Sequence, residues 1–505
     1  IMQEYSGALE PARWKMGLMK MASLDFLNPS FSSPLRKTSF GVATFNLVAT
    51  IVGGGVLSLP LAFAKAGIIL ATIMMVFSAL ITEFSMYLLC SSARRTGSSS
   101  FMEVVRHAFG APAEILMTIT LWLFLSGFMV GYYVLLMGIF SPIIKDILSS
   151  GYLNISIPTD GENFDATLLL FILLPLSPLM LQRNLYALRH ICYVGFTSVC
   201  IIVLSMGVRA YQRNVGSKDD VMGVARTPQV EIKYFTSDLG DALFTFPIIV
   251  LSFLCIHNVV EVQGAIQAPT RPRVHMVLRT AVFASFMLFE AFALVGYFYA
   301  YSECKGNIFL NFDPSDPLII VGRLGMGLTL MFAVPVVTLP CRDAFLSIFP
   351  QIRQWWNGPN ELKNVPGEDT PISSQLGHTD HSYSSISSTD HDIEQSLGVE
   401  TSVLQIEESN FLEELVHVGS TLFIASSAYF AAVAVPGIAF VWSIMGSSLG
   451  MLFGFIVPSA CYLKIRARKG LMRRSNFGAL CLLLFSVVLA IMCTIQAISG
   501  TGGSG

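Results

Sequence analysis

Three consecutive glycines, Gly53–Gly55, lie in an apolar segment at 40–64 and are followed by Pro60. In a helix interior each glycine costs about 0.8–1 kcal/mol relative to alanine, so an uninterrupted helix is disfavoured here. Backbone released from helical bonding persists in a membrane only where it faces protein or a water-filled cavity. We therefore predict two half-helices around unwound backbone, in which Val52 and the three glycines bind a solute. The alternative is a small-residue face for close helix packing.

Ionisable side chains lie in other apolar segments, where each costs about 2.5–3.5 kcal/mol at a helix centre and is a candidate for function. Glu290 and Glu83 are candidates for the group that carries a coupling proton; alternatively, either one pairs with Arg323 or another buried donor. Asn46 precedes the glycines and has a side-chain carbonyl that suits a cation. The alternative for Asn46 is a hydrogen bond between two helices.

A later apolar segment contains a polar cluster but no glycine between Asp241 and Gln263. The cluster consists of Ser252, His257 and Asn258. These three are candidate substrate-binding residues, and a neutral imidazole at His257 could also carry a proton. Helix packing is the alternative role for each of them. Without a glycine, the residues of this segment argue against a second helix break.

Aromatic residues alternate with glycines at 127–133. Phe128 and Tyr132 lie beside Gly127 and Gly131, and a ring from this group could cover the side chain of a bound solute. An aromatic stripe at helical spacing is also typical of ordinary packing between helices. Phe128 and Tyr132 are therefore candidate substrate-binding residues with a structural alternative.

The composition is that of a membrane protein. Of 505 residues, 53% are hydrophobic and 13% are charged, whereas about 25% are charged in soluble domains. Eleven apolar runs are long enough to cross a bilayer as helices, which predicts an all-α polytopic protein whose surroundings are the lipid bilayer. The runs are 40–64, 68–91, 113–140, 166–182, 190–209, 239–262, 276–300, 317–345, 416–435, 437–463 and 477–499. We see no nucleophile–base set or metal-ligand spacing, and predict no enzyme activity, no metal, no cofactor and no nucleic-acid partner.

The distribution of Lys and Arg predicts a cytoplasmic N-terminus, because short cytoplasmic loops carry the excess of basic residues. The most basic loop contains Lys464, Arg466, Arg468, Lys469, Arg473 and Arg474. On this topology 1–38 is a cytoplasmic tail, 39–345 holds eight spans, 413–500 holds three, and 501–505 is non-cytoplasmic. Asn154 then lies in a non-cytoplasmic loop within an Asn-Ile-Ser sequon, and is a candidate for glycosylation.

Residues 346–412 interrupt the series of apolar runs. The stretch is rich in Ser, Thr, Asp and His and has few aromatic or branched apolar residues, so it cannot bury a core of its own. We predict a disordered cytoplasmic loop that binds cytoplasmic regulators. A plain linker is the alternative.

Three motifs resemble those of a known family. They are Phe45-Asn46-Leu-x-x-x-Ile-Val-Gly-x-Gly-Val-Leu-Ser-Leu-Pro60, Cys255-Ile-His257-Asn258-Val259 and Val334-Pro335-Val-Val-Thr-Leu-Pro340-Cys-Arg342. Together they resemble the amino acid/auxin permease family, especially its sodium-coupled neutral amino acid transporter branch. The resemblance implies a LeuT-like fold, in which two inverted five-helix repeats are followed by one extra helix. It also implies a solute site between broken first and sixth spans near the membrane midplane.

The resemblance also implies an ion site, but the match is incomplete. In the sodium-coupled branch an Asn of the first motif helps to bind sodium, and Asn46 matches that residue. A hydroxyl residue before the Val-Pro of the eighth span is its usual partner, whereas 331–333 read Met-Phe-Ala here. The nearest hydroxyl residues are Thr329 and Thr338, and we keep Thr329 as a candidate.

We therefore predict a secondary active transporter of neutral amino acids that works by alternating access and is driven by H⁺ or Na⁺. The missing hydroxyl and the buried Glu and His residues favour protons. The alternative is a membrane amino acid sensor, or transceptor, that signals through the loop at 346–412. The predicted topology suits the plasma membrane and a vacuolar or lysosomal membrane equally, and it makes no prediction about oligomeric state.

Overall fold

The computed structural model describes residues 26–31, 33–34, 36–149, 163–183, 191–215, 232–357, 391–466 and 474–499. These residues are mostly helical, and the remainder are turns, extended connecting segments such as 232–238, and one isolated β-bridge. The α-helices are α1 (Phe40–Ile51), α2 (Leu59–Ala66), α3 (Ile68–Thr96), α4 (Phe101–Phe109), α5 (Ala111–Ser149), α6 (Phe164–Met180), α7 (Ile191–Val215), α8 (Leu239–Ser252), α9 (Ile256–Ala265), α10 (Arg271–Ala300), α11 (Pro317–Asn357), α12 (His391–Ala434), α13 (Ile438–Met445), α14 (Val457–Ile465) and α15 (Arg474–Ser499).

Eight helices of the described part are long and apolar enough to cross a membrane, and the α1–α2 pair makes a ninth candidate. The apolar helices α6 and α8 are shorter. Each of the eleven predicted runs coincides with one of these helices or helix pairs, so the all-α polytopic architecture is confirmed. The exact number of eleven spans stays a prediction.

The predicted break in the first apolar segment is confirmed. Helix α1 ends at Ile51, a 3₁₀ turn covers Gly54–Ser58, and α2 follows at an angle of 47° to α1. Gly53 is extended at φ −123° and ψ −161°. Pro60 lies in the first turn of α2, where its missing N–H interrupts no hydrogen bond.

A second break separates α8 from α9, and here the argument from the missing glycine was wrong. Helix α8 ends at Ser252, α9 begins at Ile256, and the three residues between them are not helical. Phe253 has φ −87° and Cys255 has φ −138°. Because this break needs no positive φ, ordinary L-residues form it without a steric penalty.

The two broken pairs are held together at both ends by equivalent backbone contacts. Just before α1, the N–H of Thr38 donates to the carbonyl of Ala265, at the end of α9, over 3.0 Å. Just before α8, the N–H of Thr236 donates to the carbonyl of Ala66, at the end of α2, over 2.9 Å. We call 36–38 the first strap and 232–236 the second strap. Their equivalence is the signature of an inverted repeat within the chain.

Side chains reinforce both straps. In the first, Arg36 is buried and its guanidinium donates to the carbonyls of Gln263, Gly264 and Ile266 at 2.8–3.3 Å. Burial, together with the charge of nearby Arg94, lowers the pKa of Arg36. We call the end of the bundle that holds the first strap the proximal end, and the end that holds the second strap the distal end.

The tenth apolar segment, the last of the second five-helix repeat, contains an unusual stretch. Between α13 and α14 the backbone is π-helical at Gly446–Gly450 and Leu452–Ile456. Such stretches are rare and are found mostly at functional sites. A side chain at Gly446 would collide with the carbonyl of Pro247 in α8. The π-helical stretch therefore lies directly against one of the broken helices.

Candidate functional site

The two helix breaks face each other across the middle of the bundle. A Cβ atom built on Gly55 would lie 3.2 Å from Oγ of Ser252 and 3.5 Å from its Cα. The contact at 3.2 Å is tight enough that the Ser252 hydroxyl would have to move by a few tenths of an ångström, whereas 3.5 Å is ordinary van der Waals contact. The lack of a side chain at Gly55 therefore allows the two breaks to touch.

The other two glycines have different surroundings. A Cβ atom on Gly54 would lie 2.7 Å from Cδ1 of Leu135 and 3.5 Å from Cε1 of Tyr132, so Gly54 packs against α5. A Cβ atom on Gly53 would meet nothing within 4 Å, although Val52 beside it is buried. Gly53 thus borders open space inside the break, whereas Gly54 and Gly55 fix its walls.

In the first break, the free N–H groups on the α2 side suit a carboxylate. The first N–H groups of a helical segment have no acceptor within it, and here they belong to Gly54 and Gly55. Together with the positive end of the helix dipole, such groups favour a negatively charged ligand. On the other side, α8 ends at Ser252 and turns its last carbonyls towards the break, which suits an ammonium group.

The polar residues of the α8–α9 break have distinct environments. Ser252 is buried and its hydroxyl donates to the carbonyl of Ile248 at 2.9 Å, so it is engaged within its own helix. Asn258 is half-buried in the first turn of α9, and its backbone N–H donates to the carbonyl of Cys255. The side chain of His257 lies outside the described part of the structure.

Aromatic rings close one side of the site. Tyr132 lies against Gly54, the ring of Phe128 is 6.2 Å from that of Tyr132, and the indole of Trp442 is 5.7 Å from Phe128. Trp442, from α13, is almost completely buried. The absent side chain of Gly131 makes room for the Trp442 ring. Sequence reasoning missed Trp442, although Gly131 was the signal that something large packs there.

The two residues proposed for sodium are not joined by a hydrogen bond. Asn46 is exposed on α1, where its backbone carbonyl accepts from Thr50. The hydroxyl of Thr329 donates to the carbonyl of Gly325 at 2.8 Å, and its methyl group packs against Gly195 of α7. Thr329 therefore already has an acceptor in its own helix.

The two carboxylates have partners other than Arg323. The hydroxyl of Thr72 in α3 donates to Oε1 of Glu290 at 2.6 Å, while Oε2 of Glu290 is buried without a partner among the described residues. Glu83 lies 3.5 Å from Nε2 of His275. Arg323 instead donates to the carbonyl of Phe309 at 2.5 Å. Neither carboxylate pairs with Arg323, but the other half of that alternative holds for Glu290, which accepts from another donor, Thr72.

A large cavity opens at the distal end. Its volume is about 1200 Å³, and its polar lining includes Lys65, Lys145, Asp165, Asp238 and Asp241. The loop that follows α10 forms part of its boundary through Lys305, Gly306 and Asn307. The hydroxyl of Ser58 donates to the carbonyl of Gly306 at 2.7 Å, which ties that loop to the 3₁₀ turn of the first break.

Two further predictions fall outside the described residues. Asn154, the candidate for glycosylation, lies between α6 and the end of α5 in a stretch that the structure does not describe. The same is true of 358–390, the central part of the cytoplasmic loop predicted to be disordered over 346–412. At the two ends of that loop the prediction of disorder was wrong, because 346–357 continues α11 and 391–412 belongs to α12.

Comparison with known sequences gives consistent matches. The profile of the family described as "Transmembrane amino acid transporter protein" matches residues 36–499. Vacuolar amino acid transporter 5 of Schizosaccharomyces pombe (strain 972 / ATCC 24843) is 29% identical over 323 residues, which are 63% of this chain and 71% of that protein. Putative sodium-coupled neutral amino acid transporter 11 of Rattus norvegicus is 24% identical over 318 residues. The chain spans 66% of that relative, just under two thirds.

Solved structures resemble the chain over almost its whole length. Mhp1, a nucleobase-cation-symport-1 family transporter, in a closed conformation with bromovinylhydantoin bound, has a TM-score of 0.50 at 13% identity and covers 94% of this chain and 95% of its own. The inward-facing conformation of Mhp1 also has a TM-score of 0.50, at 12% identity, and covers 92% and 91%. At these identities the likeness concerns the fold alone, and it confirms the predicted LeuT-like class.

Proposed function

Because the chain belongs to the transmembrane amino acid transporter protein family, we propose that it carries neutral amino acids across the membrane by alternating access, coupled to a proton gradient. The observation that carries this proposal is the pair of facing helix breaks at Gly53–Gly55 and Phe253–Cys255. A broken helix pair offers backbone groups to the two charges that every amino acid shares. The substrate carboxylate would bind the N–H groups of Gly54 and Gly55.

The side chain of the substrate would point towards the rings of Phe128, Tyr132 and Trp442. Two apolar residues, Leu135 and Leu330, also lie next to Gly54. None of these five residues carries a charge to neutralise an ionised substrate side chain, and burying an uncompensated charge is costly. This lining supports a preference for neutral amino acids over acidic or basic ones.

Glu290 is our candidate for the proton carrier. One of its carboxylate oxygens is buried without a partner in the part of the chain that the structure describes, and the other accepts from Thr72. A carboxylate in apolar surroundings is costly unless it is paired with a cation or protonated. Glu83 is less suited to this role because His275 lies 3.5 Å from it.

Sodium is the alternative coupling ion, through Asn46 and Thr329, and the name of the rat relative includes sodium coupling. The lack of a hydroxyl residue at 331–333 supports the proton over sodium. We also propose that the proximal end is cytoplasmic, since the basic loops lie on that side. The membrane would be that of a vacuole or lysosome, or the plasma membrane.

Uptake into proteoliposomes tests these proposals. A panel of unlabelled amino acids competes against labelled leucine, with sodium replaced by choline, at pH 5.5 and pH 7.5. We expect neutral amino acids to compete, and uptake to continue without sodium and to increase when the outer solution is acidic. Uptake that collapses in choline and ignores pH would overturn proton coupling. Uptake of no amino acid under any condition would overturn transport itself.

A further inference from the structure

The distal cavity has two charged walls that differ in how their charges are paired. One wall is formed by α5 and the start of α6 and carries Lys145 and Asp165. The opposite wall is formed by the end of α2 and the start of α8 and carries Lys65, Asp238 and Asp241. The cavity adjoins the first break, because the hydroxyl of Ser58 donates to the carbonyl of Gly306, which borders the cavity.

The α5–α6 wall is internally satisfied. Nζ of Lys145 lies 2.9 Å from Oδ1 of Asp165, and the hydroxyl of Ser141 donates to the same oxygen at 2.5 Å. The Lys145 ammonium also lies over the ring of Phe164. Each charge on this wall is compensated by a neighbour, so it has little left to offer a ligand.

The α2–α8 wall is not internally satisfied. Asp241 lies between two ammonium groups, with Nζ of Lys65 at 3.3 Å and Nζ of Lys233 at 3.4 Å. One carboxylate thus serves two cations, and the side chain of Lys65 is 42% exposed. A positive charge is left in excess at this point of the wall.

A negative charge is in excess one turn away. Asp238 is exposed at the N-terminus of α8 and accepts from the backbone N–H of Gly240 at 2.8 Å. Among the described residues, no basic group lies within ion-pair distance of it. The side-chain amide of Gln496 in α15 lies in the same region. A Cβ atom built on Gly240 would be 2.8 Å from Nε2 of Gln496 and 3.2 Å from Oδ1 of Asp238.

We propose that this wall binds the zwitterionic head group of a free amino acid before it reaches the helix breaks. The carboxylate binds the ammonium of Lys65, and the ammonium of the ligand binds Asp238. The two charges of the ligand are borne on one carbon. On the wall, Nζ of Lys65 lies 3.3 Å from Oδ1 of Asp241, and Asp238 lies one helical turn before Asp241 in the chain. This inference rests on the proposed function, and it adds a second, outer site to it. Exposed ion pairs are weak, so the site is transient and has low affinity.

Protection of an introduced thiol measures binding at this site. Gly437 borders the cavity, and a side chain there meets nothing within 4 Å. In Gly437→Cys, the rate of alkylation at residue 437 is followed by mass spectrometry with a neutral reagent. Gly437→Cys is introduced into a chain that also carries Gly54→Val, which blocks the central site. The alkylation rates with and without ligand are also measured for Gly437→Cys alone, in case the Gly54→Val protein does not insert.

We expect leucine at 20 mM to slow alkylation at least threefold. Leucine methyl ester, which lacks the carboxylate, and 4-methylpentanoate, which lacks the amine, should not slow it. Asp238→Asn and Lys65→Gln should each abolish the protection. The matched control is the double variant Lys145→Gln/Asp165→Asn on the opposite wall, which should keep it.

Each contrary result has a distinct meaning. Equal protection by the ester, or protection that survives Asp238→Asn, would overturn the head-group site. Absence of protection in both backgrounds while the native chain takes up amino acids would also overturn it, and would leave the proposed function intact. Protection in a chain that takes up no amino acid would support the outer site and overturn the transport function.

Discussion

Gly55 lies so close to Ser252 that a Cβ atom on the glycine would be 3.2 Å from the serine hydroxyl. This contact joins two breaks that are almost 200 positions apart in the chain. Each break alone would leave backbone groups without partners in a membrane. Facing each other, the breaks enclose a small polar region in the middle of an apolar bundle.

Substitution of Gly55 by Val should abolish substrate binding while the protein still inserts. The added side chain meets both Oγ and Cα of Ser252, and the Cα cannot move without the helix. Equilibrium binding of labelled leucine in detergent measures the loss, which we expect to exceed about tenfold. Gly41→Ala is the matched control, since Gly41 has open space around it on the same broken pair. Normal binding by Gly55→Val would show that the glycines serve packing alone.

Gly53→Ala tests whether the open space beside Gly53 is occupied by substrate or matters only for protein packing. A methyl group there contacts no protein atom within 4 Å, and the φ of −123° suits alanine. We expect the melting temperature to stay within about 2 °C of the native value, because no packing is lost. Leucine affinity should nevertheless fall, because the methyl group occupies the space next to the carboxylate-binding N–H groups. Unchanged affinity would place the substrate elsewhere.

Glu290→Gln should uncouple transport from pH. Glutamine keeps the hydrogen bond from Thr72 but cannot bind or release the coupling proton. We expect uptake driven by a pH gradient to fall to the level seen without a gradient, while exchange of internal for external leucine continues. Glu83→Gln is the matched control and should retain the pH response. A Glu290→Gln protein that still concentrates leucine under a pH gradient would exclude Glu290 as the carrier.

Arg36→Gln should weaken the first strap. Its guanidinium is buried and donates to three carbonyls of the α9 end, and hydrogen bonds to charged groups contribute about 1.5–3 kcal/mol. We expect the free energy of unfolding to fall by about 3 kcal/mol, measured by chemical denaturation in detergent. Lys37→Gln changes the neighbouring, exposed residue and should have little effect. Equal stability of the two variants would mean that the strap is held by its backbone bonds alone.

Trp442→Leu should change which side chains are accepted. The indole fills the space left by Gly131 and faces Phe128, so a smaller residue enlarges the pocket. We expect the ratio of phenylalanine to alanine uptake to rise about tenfold, the scale of a small change in an apolar pocket. Trp356→Leu, at a tryptophan that is 80% exposed, is the control. An unchanged ratio would place the substrate side chain away from α13.

The first break could be predicted because glycine has a strong local effect on a helix. The second could not, because Phe253 and Cys255 have negative φ values that any residue adopts, so composition carries no sign of it. Only the resemblance to a family indicated that break. The lesson is that helix breaks built from ordinary residues are fixed by their partners in the fold.

The sequence indicated which residues lie in the bundle better than it indicated which side chains they contact. Glu290 was recognised as a buried carboxylate, but its donor, Thr72, lies in another helix and carries no charge that would attract attention. Trp442 lies more than 300 positions from Gly131, so the fit between them becomes visible only in three dimensions. Asn46 was singled out for its chemistry, and its exposure on α1 depends on how the helices pack.

Helix α11 has 41 residues, which corresponds to a rod of about 60 Å. A bilayer including its headgroups is about 40–45 Å thick. Without a bend at Pro335, Pro340 or Pro350, the helix leans by about 40° or projects by about 15 Å. Its final turns carry the exposed Phe349 and Trp356. For electron microscopy this is a practical asset. A rigid fiducial protein fused in helical register to the end of α11 would give particle images of this membrane protein a fixed landmark.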